Sequence, residues 1–185
     1  MYSKINTYAS SLDLSKAYNK IIWEYMEAVL HAFGFNHWIN WIMAMVSSPS
    51  FSLLLNGAPS KLLYPSRGIR KGDSLSPFLF MLMMEGLERE IGVTNREGDI
   101  TGLKLHENSQ MTTHKQFVGD TMLHGVPMVK EARNFKTILD TFMKASSMKL
   151  NMSNSMIFFS TLTLLSRKSF QLSCIFRGNP SRPNI

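Results

Sequence analysis

Residues 113–125 read THKQFVGDTMLHG, and this stretch decides how the chain folds. Thr113, Phe117 and Val118 before Gly119 and Thr121 after it are of types typical of strands, and a glycine between two such runs predicts a tight β-hairpin turn. Asp120 follows the glycine directly. Gly-Asp is ordinary turn chemistry, but the glycine also stands where a second carboxylate could lie beside Asp120.

Two amphipathic helices are predicted upstream of this hairpin. In residues 19–34, NKIIWEYMEAVLHAFG, the apolar positions recur with a period of 3.6, and Gly34 is placed to cap the C-terminus. The second helix is expected in HWINWIMAMVSS, with Asn36 as its N-cap and Pro49 ending it.

A second hairpin and a third helix are predicted between these helices and residue 113. Residues 51–66 read as two strands about Asn56-Gly57, a dipeptide that accepts positive φ at both positions. A glycine-containing loop then leads into a helix that Ser76 is expected to cap. Residues 92–110 are expected to be loop with one short strand.

The order of the elements predicts an α+β fold, in which helices pack on one face of a mainly antiparallel sheet. A first strand ends at Asp13, a helix is expected over residues 129–147, and a strand over 155–160. Residues 1–160 are expected to form one domain. Residues 161–185 carry four basic and no acidic side chains and are expected to form an irregular tail.

Composition limits the possible partners. The 185 residues are 44% hydrophobic, enough for one core, and 20 Lys+Arg against 13 Asp+Glu give a net charge of +7, which favours a polyanion. The single cysteine, Cys174, excludes an internal disulfide and suits a reducing compartment. No apolar run approaches the ~20 residues that cross a bilayer, so no membrane partner is expected.

Asp13 and Asp120 are the candidate catalytic residues. If their strands are neighbours, both carboxylates project from one edge of the sheet and could share a divalent cation. Two Mg²⁺ ions about 3.5–4 Å apart can activate a 3′-hydroxyl and stabilise a leaving pyrophosphate, but such a site normally has three carboxylates. The alternative is that each aspartate only caps a helix or turn.

Four blocks of the sequence carry a family resemblance. They are LDLSKAYNKIIW (12–23), NGAPSKLLYPSRGIRKGDSLSPFLFMLMMEGLEREI (56–91), THKQFVGDTMLHG (113–125) and ASSMKLNMSNSMIFFS (145–160). In this order and spacing they resemble the reverse transcriptase of LINE-type, non-LTR retrotransposons, particularly those of plants. The resemblance covers residues 12 to 160.

The resemblance implies a right-hand polymerase palm and RNA-directed DNA polymerisation. In that reaction the 3′-hydroxyl of a DNA primer on an RNA template attacks the α-phosphate of a dNTP, and Mg²⁺ is the cofactor. Asp13 and Asp120 match catalytic, metal-binding aspartates of the family.

The resemblance also implies a nucleotide-binding set. Tyr18 matches the aromatic residue under the sugar, although core packing is the alternative role for this side chain. Arg70 and Gly72 match the loop that lies against the templating base and the incoming nucleotide, and Lys71 stands at a position of the same loop. The alternative for this loop is a tight turn before a helix.

The sequence departs from the family at several of these positions. The family carries the sequence FADD where this chain has FVGD at residues 117–120. Gly119 therefore replaces the first aspartate of that signature, a direct metal ligand, and glycine offers no side-chain oxygen. Other departures are Asn19 for aspartate, Lys71 for glutamine, Ser74 for proline, Ser147 for glycine and Asn154 for lysine. Loss of metal binding and of polymerase activity is therefore expected.

The leading interpretation is a palm fragment of a retrotransposon reverse transcriptase, without fingers or thumb and with its activity lost. The alternatives are a non-catalytic nucleic-acid-binding remnant or a functionless product of a decayed element; a group II intron maturase fits the wording of the blocks less well. The family resemblance implies a nuclear location by default, and a mitochondrial one stays open.

Overall fold

The computed structural model describes residues 7–104, 111–117 and 119–159. Contacts divide the chain into two compact units. The sheet unit comprises Met1–Ser15, Leu87–Thr141 and Leu150–Ile185, and the helix unit comprises Lys16–Gly86 and Phe142–Lys149. The predicted domain boundary at residue 160, the predicted tail and Cys174 lie outside the described residues.

The secondary structure follows the predicted order, with one additional short helix. In chain order the elements are β1 (Tyr8–Asp13), α1 (Ala17–Lys20), α2 (Trp23–Ala32), α3 (Ile39–Ser47), β2 (Leu54–Leu55), β3 (Ala58–Pro59), α4 (Ser76–Arg96), β4 (His114–Phe117), β5 (Asp120–Gly125), α5 (Val129–Ser146) and β6 (Met156–Phe159). Among the described residues, no helix is both long and apolar enough to span a bilayer.

The sheet unit is built on a four-stranded antiparallel sheet in the order β4-β5-β1-β6. Along the central strand β1, buried and half-buried residues alternate strictly, as expected for a sheet with one covered face. The covered face includes Tyr8, Ser10 and Leu12. The opposite face, called the open face, includes Ala9, Ser11 and Asp13 of β1, Asp120, Met122 and His124 of β5, Lys115 and Phe117 of β4, and Met156 and Phe158 of β6.

A buried carboxylate marks the contact between α5 and the covered face. Glu131 accepts hydrogen bonds from the backbone N–H groups of Thr101 and Val126, each at 3.3 Å. It lies so close to Gly125 that a Cβ there would collide with it. Burial raises the pKa of Glu131, and the three backbone donors at this carboxylate act in the opposite direction. The α+β architecture with helices on one face of the sheet is thus confirmed.

Tyr25 links three segments of the helix unit through its hydroxyl and its ring. The Tyr25 hydroxyl donates a 2.8 Å hydrogen bond to the carbonyl of Met83, and the Tyr25 ring meets Phe142 edge to face. The β2–β3 hairpin of this unit turns at Asn56 and Gly57, whose φ values are +51° and +83°. This hairpin was predicted from the dipeptide and is confirmed.

The prediction of one continuous helix over residues 19–34 is wrong. The chain forms α1 and α2, separated at Ile21 and Ile22. Ile22 has an extended backbone, and its N–H donates to the carbonyl of Ser146 at 3.3 Å, outside its own helix. Asn36 is not the N-cap of α3 either: Trp38 occupies that position, and Asn36 Oδ1 lies 2.9 Å from His31 Nδ1.

Two further differences concern helix ends. The loop expected from residue 92 begins later, because α4 continues to Arg96. Gly98 follows the helix with a φ of +78°, and its N–H donates to the carbonyl of Asn95. At the end of α5, Ser147 adopts a φ of +62°. Glycine is favoured in that conformation, so serine in the place of the family's glycine is strained.

Candidate active site

The two predicted catalytic aspartates lie directly opposite one another. Asp13 ends β1, Asp120 begins β5, and the register pairs them as Cα partners. Side chains paired in this way project from the same face with Cβ atoms about 4.5–5.5 Å apart. Asp120 is exposed and Asp13 half-buried, so the open face carries two neighbouring carboxylates at one end.

The carboxylate of Asp13 is bound by two amides. Asn151 Nδ2 donates to Asp13 Oδ2 at 2.8 Å, and Asn154 Nδ2 donates to the same oxygen at 3.2 Å. The backbone of Asp13 is also fixed, because its N–H donates to Ser155 Oγ and its carbonyl accepts from the N–H of Asn151. The turn before β6 therefore orients this carboxylate and supplies neutral donors to it.

The position beside this pair, Gly119, does not require a glycine. Its φ lies outside the positive region that favours glycine, and among the described residues a Cβ built there would have one neighbour within 4 Å, the carbonyl oxygen of Leu14 at 4.0 Å. The Gly119 carbonyl accepts a 3.0 Å hydrogen bond from the N–H of Leu14, which any residue type can provide. A side chain therefore fits at this turn.

A third ligand is absent from the part of the chain that the structure describes. Within residues 7–104, 111–117 and 119–159, no group of three or more His, Cys, Asp or Glu side chains is placed to hold a metal ion. The donor set for a cation on the open face is therefore the pair Asp13 and Asp120.

The predicted nucleotide-binding residues lie in the helix unit. Tyr18 stacks on Phe80 with ring centroids 4.6 Å apart and planes 7° apart, so the ring makes the packing contact given as its alternative role. Arg70, Lys71 and Gly72 are exposed. The structure thus groups the aspartates in one unit and the proposed nucleotide-binding residues in the other.

Arg70 and Lys71 line a cavity of about 520 Å³ within the helix unit. Arg67 adds a third cationic side chain, and among the described residues no acidic one lines the cavity. The Arg70 guanidinium lies 6.0 Å from the ring centroid of Phe51, which also lines it. Cations beside an aromatic ring suit a ligand that carries phosphates and a base.

The loop that carries these cations is fixed by its backbone. Gly68 N–H donates to the carbonyl of Ile21 at 2.7 Å, and Ile69 N–H donates to the carbonyl of Tyr18 at 2.8 Å. Trp23 Nε1 donates to the carbonyl of Gly68 at 2.9 Å. These bonds hold residues 67–71 against the segment that follows β1.

A match to a protein-family model shows the family of this chain. The model described as reverse transcriptase (RNA-dependent DNA polymerase) matches residues 2–171, most of the 185-residue chain. The chain belongs to the reverse transcriptase family. The match continues past Ser160, where sequence reasoning placed the end of the family pattern.

Two curated relatives of this chain were found, and one of them is a retrotransposon protein. An uncharacterized mitochondrial protein of Arabidopsis thaliana is 41% identical over 68 residues, covering 37% of this chain and 56% of that protein. A retrovirus-related Pol polyprotein from a type-2 retrotransposable element of Drosophila melanogaster is 32% identical over 85 residues, covering 45% of this chain and 8% of that protein. The chain matches only part of the length of either relative.

Solved structures confirm the palm fold of this chain. Apo telomerase from Candida tropicalis, truncated from the C-terminal domain, has a TM-score of 0.64 at 11% identity, covering 88% of this chain and 32% of that one. Telomerase from Candida albicans, in complex with a fragment of telomeric RNA, has a TM-score of 0.65 at 12% identity, covering 85% and 27%.

Sequence reasoning missed three contributors to these sites. Asn151 orients Asp13 across 138 positions, and Phe51 lines the cavity beside Arg70. Trp23 belongs to a block that resembles reverse transcriptases, but its hydrogen bond to the cationic loop was not foreseen. A polar residue directly before a turn was the weak signal for Asn151; the other two interactions have no local pattern.

Proposed function

We propose that this chain is a reverse transcriptase palm of retrotransposon origin in which the nucleotidyl-transfer site is incomplete, so that the chain does not polymerise DNA. The observation that carries the proposal is the Asp13–Asp120 pair with a glycine at the adjoining ligand position. The family membership supplies the ancestral reaction, and the missing oxygen supplies the reason for its loss.

The residues present do not fit the Mg²⁺ ions that the family implies. Mg²⁺ requires near-octahedral oxygen ligands and strong neutralisation of its charge, and a two-ion site normally uses three carboxylates. Here two carboxylates are available, and one oxygen of Asp13 already accepts two amide hydrogen bonds. No catalytic step is therefore assigned to a metal in this chain.

Primer extension tests the proposal directly. We expect the purified chain to add no nucleotide to a DNA primer on an RNA template with either Mg²⁺ or Mn²⁺, because the site lacks one ligand. The product is measured on a sequencing gel with labelled primer. The Asp13→Ala variant defines the background, and a telomerase or viral reverse transcriptase shows that the substrates are competent.

Template-dependent incorporation by the unmodified chain would contradict the proposal if Asp13→Ala abolished it. That result would make Gly119 a tolerated variant of a working site. Incorporation that survives Asp13→Ala comes from a contaminant and does not count against the inactive site.

The cationic cavity favours a second candidate function, binding of single-stranded nucleic acid without catalysis. Arg67, Arg70 and Lys71 line the cavity with Phe51, and Asn19 stands there in the place of the family's aspartate. This replacement removes a carboxylate that would offset the cations. The cavity is therefore suited to phosphate, and binding need not involve the aspartate pair.

We expect substitution of Arg67, Arg70 and Lys71 together by alanine to weaken binding to a single-stranded RNA and to flatten its salt dependence. Removing one cation that neutralises an RNA phosphate lowers the slope of log K against log salt by about 0.7. Fluorescence anisotropy over a salt series measures both effects. Lys61→Ala is the control for the loss of one charge outside the cavity, because Lys61 is an exposed cation of the same unit that does not line it.

An unchanged salt slope in the triple variant would place the binding surface elsewhere. A loss of binding free energy with Lys61→Ala that reaches a third of the loss in the triple variant would show that net charge matters and the cavity does not.

A further inference from the structure

The β2–β3 hairpin of the helix unit is exposed to solvent although most of its side chains are apolar. Every residue from Phe51 to Pro59 is exposed, and Leu54 is 75% exposed. The sequence from Ala32 to Ser60 contains no Asp, Glu, Lys or Arg. Exposed apolar residues in a stretch depleted of charge are typical of the core of a protein–protein interface.

The hydrogen bonds of the hairpin determine which backbone groups face away from it. The carbonyl of Leu53 accepts a 2.7 Å hydrogen bond from the N–H of Ser60, so the backbone of Leu53 is turned toward the returning strand. Backbone groups alternate in direction along a strand, so the N–H and C=O groups of Ser52 and Leu54 point the other way. We call these groups the β2 edge. Among the described residues, β2 pairs with β3 and with no other strand.

The opposite edge of the hairpin is blocked. Pro59 is the register partner of Leu54, so its backbone faces outward from β3, and proline has no N–H to donate. Lys61, an exposed cation, follows two positions later. Proline and lysine are the residues with which proteins prevent further strand pairing at an edge. The β2 edge has neither, so the hairpin can accept one further strand, and only beside β2.

β2 is itself a strand of the kind that its own edge requires. Leu53 and Leu54 lie on opposite faces of the strand, so a pairing strand must be apolar on both faces. A second copy of β2 meets this requirement. If Leu53 lies opposite the partner's Leu53 in an antiparallel pair, each Ser52 exchanges backbone hydrogen bonds with the Leu54 of the other copy. The chain carries a net charge of +7, but the paired strands are uncharged, so no like charges meet along them.

We propose that two copies of this chain associate through their β2 edges into a four-stranded antiparallel sheet in the order β3-β2-β2-β3. The assembly ends at two copies, because each outer strand is then a β3 with its Pro59. The hairpin is smaller than the roughly 20–30 residues that each side of a standard interface contributes, so the dimer is weak and dissociates on dilution. This association depends neither on the loss of polymerase activity nor on RNA binding.

Sedimentation velocity of the full-length chain over a concentration series tests the proposal. We expect monomers at low concentration and dimers at high concentration. Added salt should strengthen the dimer, because it screens the repulsion between two copies that each carry +7. Binding to a nucleic acid weakens with salt, so association bridged by contaminating RNA would show the opposite dependence.

Leu54→Lys is expected to raise the dissociation constant of the dimer about tenfold or more, because it brings like charges of the two copies together across the paired edges. Leu62→Lys is the matched control: Leu62 is 56% exposed and lies beside Lys61, beyond β3. It adds the same charge away from the β2 edge, so the dissociation constant should change much less. Leu54→Pro removes only the outward N–H donor and should also weaken the dimer.

A chain that stays monomeric at all concentrations would overturn the proposal. Equal weakening by Leu54→Lys and Leu62→Lys would overturn it as well, because net charge would then decide the association. Dimers that persist unchanged in Leu54→Pro would place the contact on another surface. Far-ultraviolet circular dichroism shows whether each variant is folded, and Ser52→Lys takes the place of Leu54→Lys if that variant is not.

Discussion

The Gly119→Asp substitution is expected to tighten Mn²⁺ binding about tenfold or more, which corresponds to about 1.4 kcal/mol. It places a third carboxylate beside Asp13 and Asp120, and hard oxygen ligands with negative charge are what such cations require. The backbone accepts the change, because a Cβ at this position meets no atom closer than the Leu14 carbonyl oxygen at 4.0 Å. Electron paramagnetic resonance of free Mn²⁺ measures the dissociation constant.

Two variants separate charge from shape in this experiment. Gly119→Asn has nearly the same side-chain volume and supplies an oxygen without a charge, so its gain should be much smaller. Gly119→Asp combined with Asp13→Ala should return to the affinity of the unmodified chain. If Gly119→Asn binds Mn²⁺ as tightly as Gly119→Asp, or if the gain persists without Asp13, the ion is not held by the three-carboxylate arrangement.

Gly68→Ala is expected to destabilise the helix unit by about 3 kcal/mol, a large part of the ~5–15 kcal/mol that stabilises a typical domain. Gly68 has a φ of +83°, and an added Cβ would lie 2.9 Å from the backbone oxygens of both Tyr18 and Asn19. Neither oxygen can move freely, because the loop and this segment are tied by backbone hydrogen bonds. Urea denaturation followed by tryptophan fluorescence measures the change.

Gly72→Ala is the matched control for this prediction. Gly72 also has a positive φ, +89°, but an added Cβ there would meet no atom within 4 Å. The control therefore bears the conformational cost alone, about 1–2 kcal/mol. If Gly68→Ala and Gly72→Ala lower the free energy of unfolding equally, the close approach of residue 68 to the segment after β1 adds nothing to the cost of the Gly68 substitution.

The local elements of this fold were predictable, and its interruptions were not. The Asn56-Gly57 turn and a helix over residues 129–147 were predicted from neighbouring residues, and the turn and α5 are found. The break at Ile22 depends on a hydrogen bond to Ser146, which no local pattern reveals. The end of α4 was missed although its signal, the C-terminal glycine Gly98, is present in the sequence.

The candidate site was likewise predictable only in part from the sequence. Asp13 and Asp120 were identified because their motifs match a family, and the sheet register places them together. The turn that binds Asp13 through Asn151 and Asn154 was not identified, because amide side chains in a polar loop are common and only folding brings them near. The cation-lined cavity was predicted only through its loop, since Phe51 comes from a separate segment.

The central position of β1 in the sheet has a consequence for how the protein folds during translation. Residues 8–13 pair with 120–125 and 156–159, so the central strand is synthesised more than a hundred residues before its neighbours. At roughly 5–20 residues per second, a ribosome needs about 5–20 s to produce β5. Pairing across so long a loop is also slow because of the entropy of closure. During this interval the nascent β1 has no strand to pair with, and a chaperone that shields it would improve the yield of folded protein.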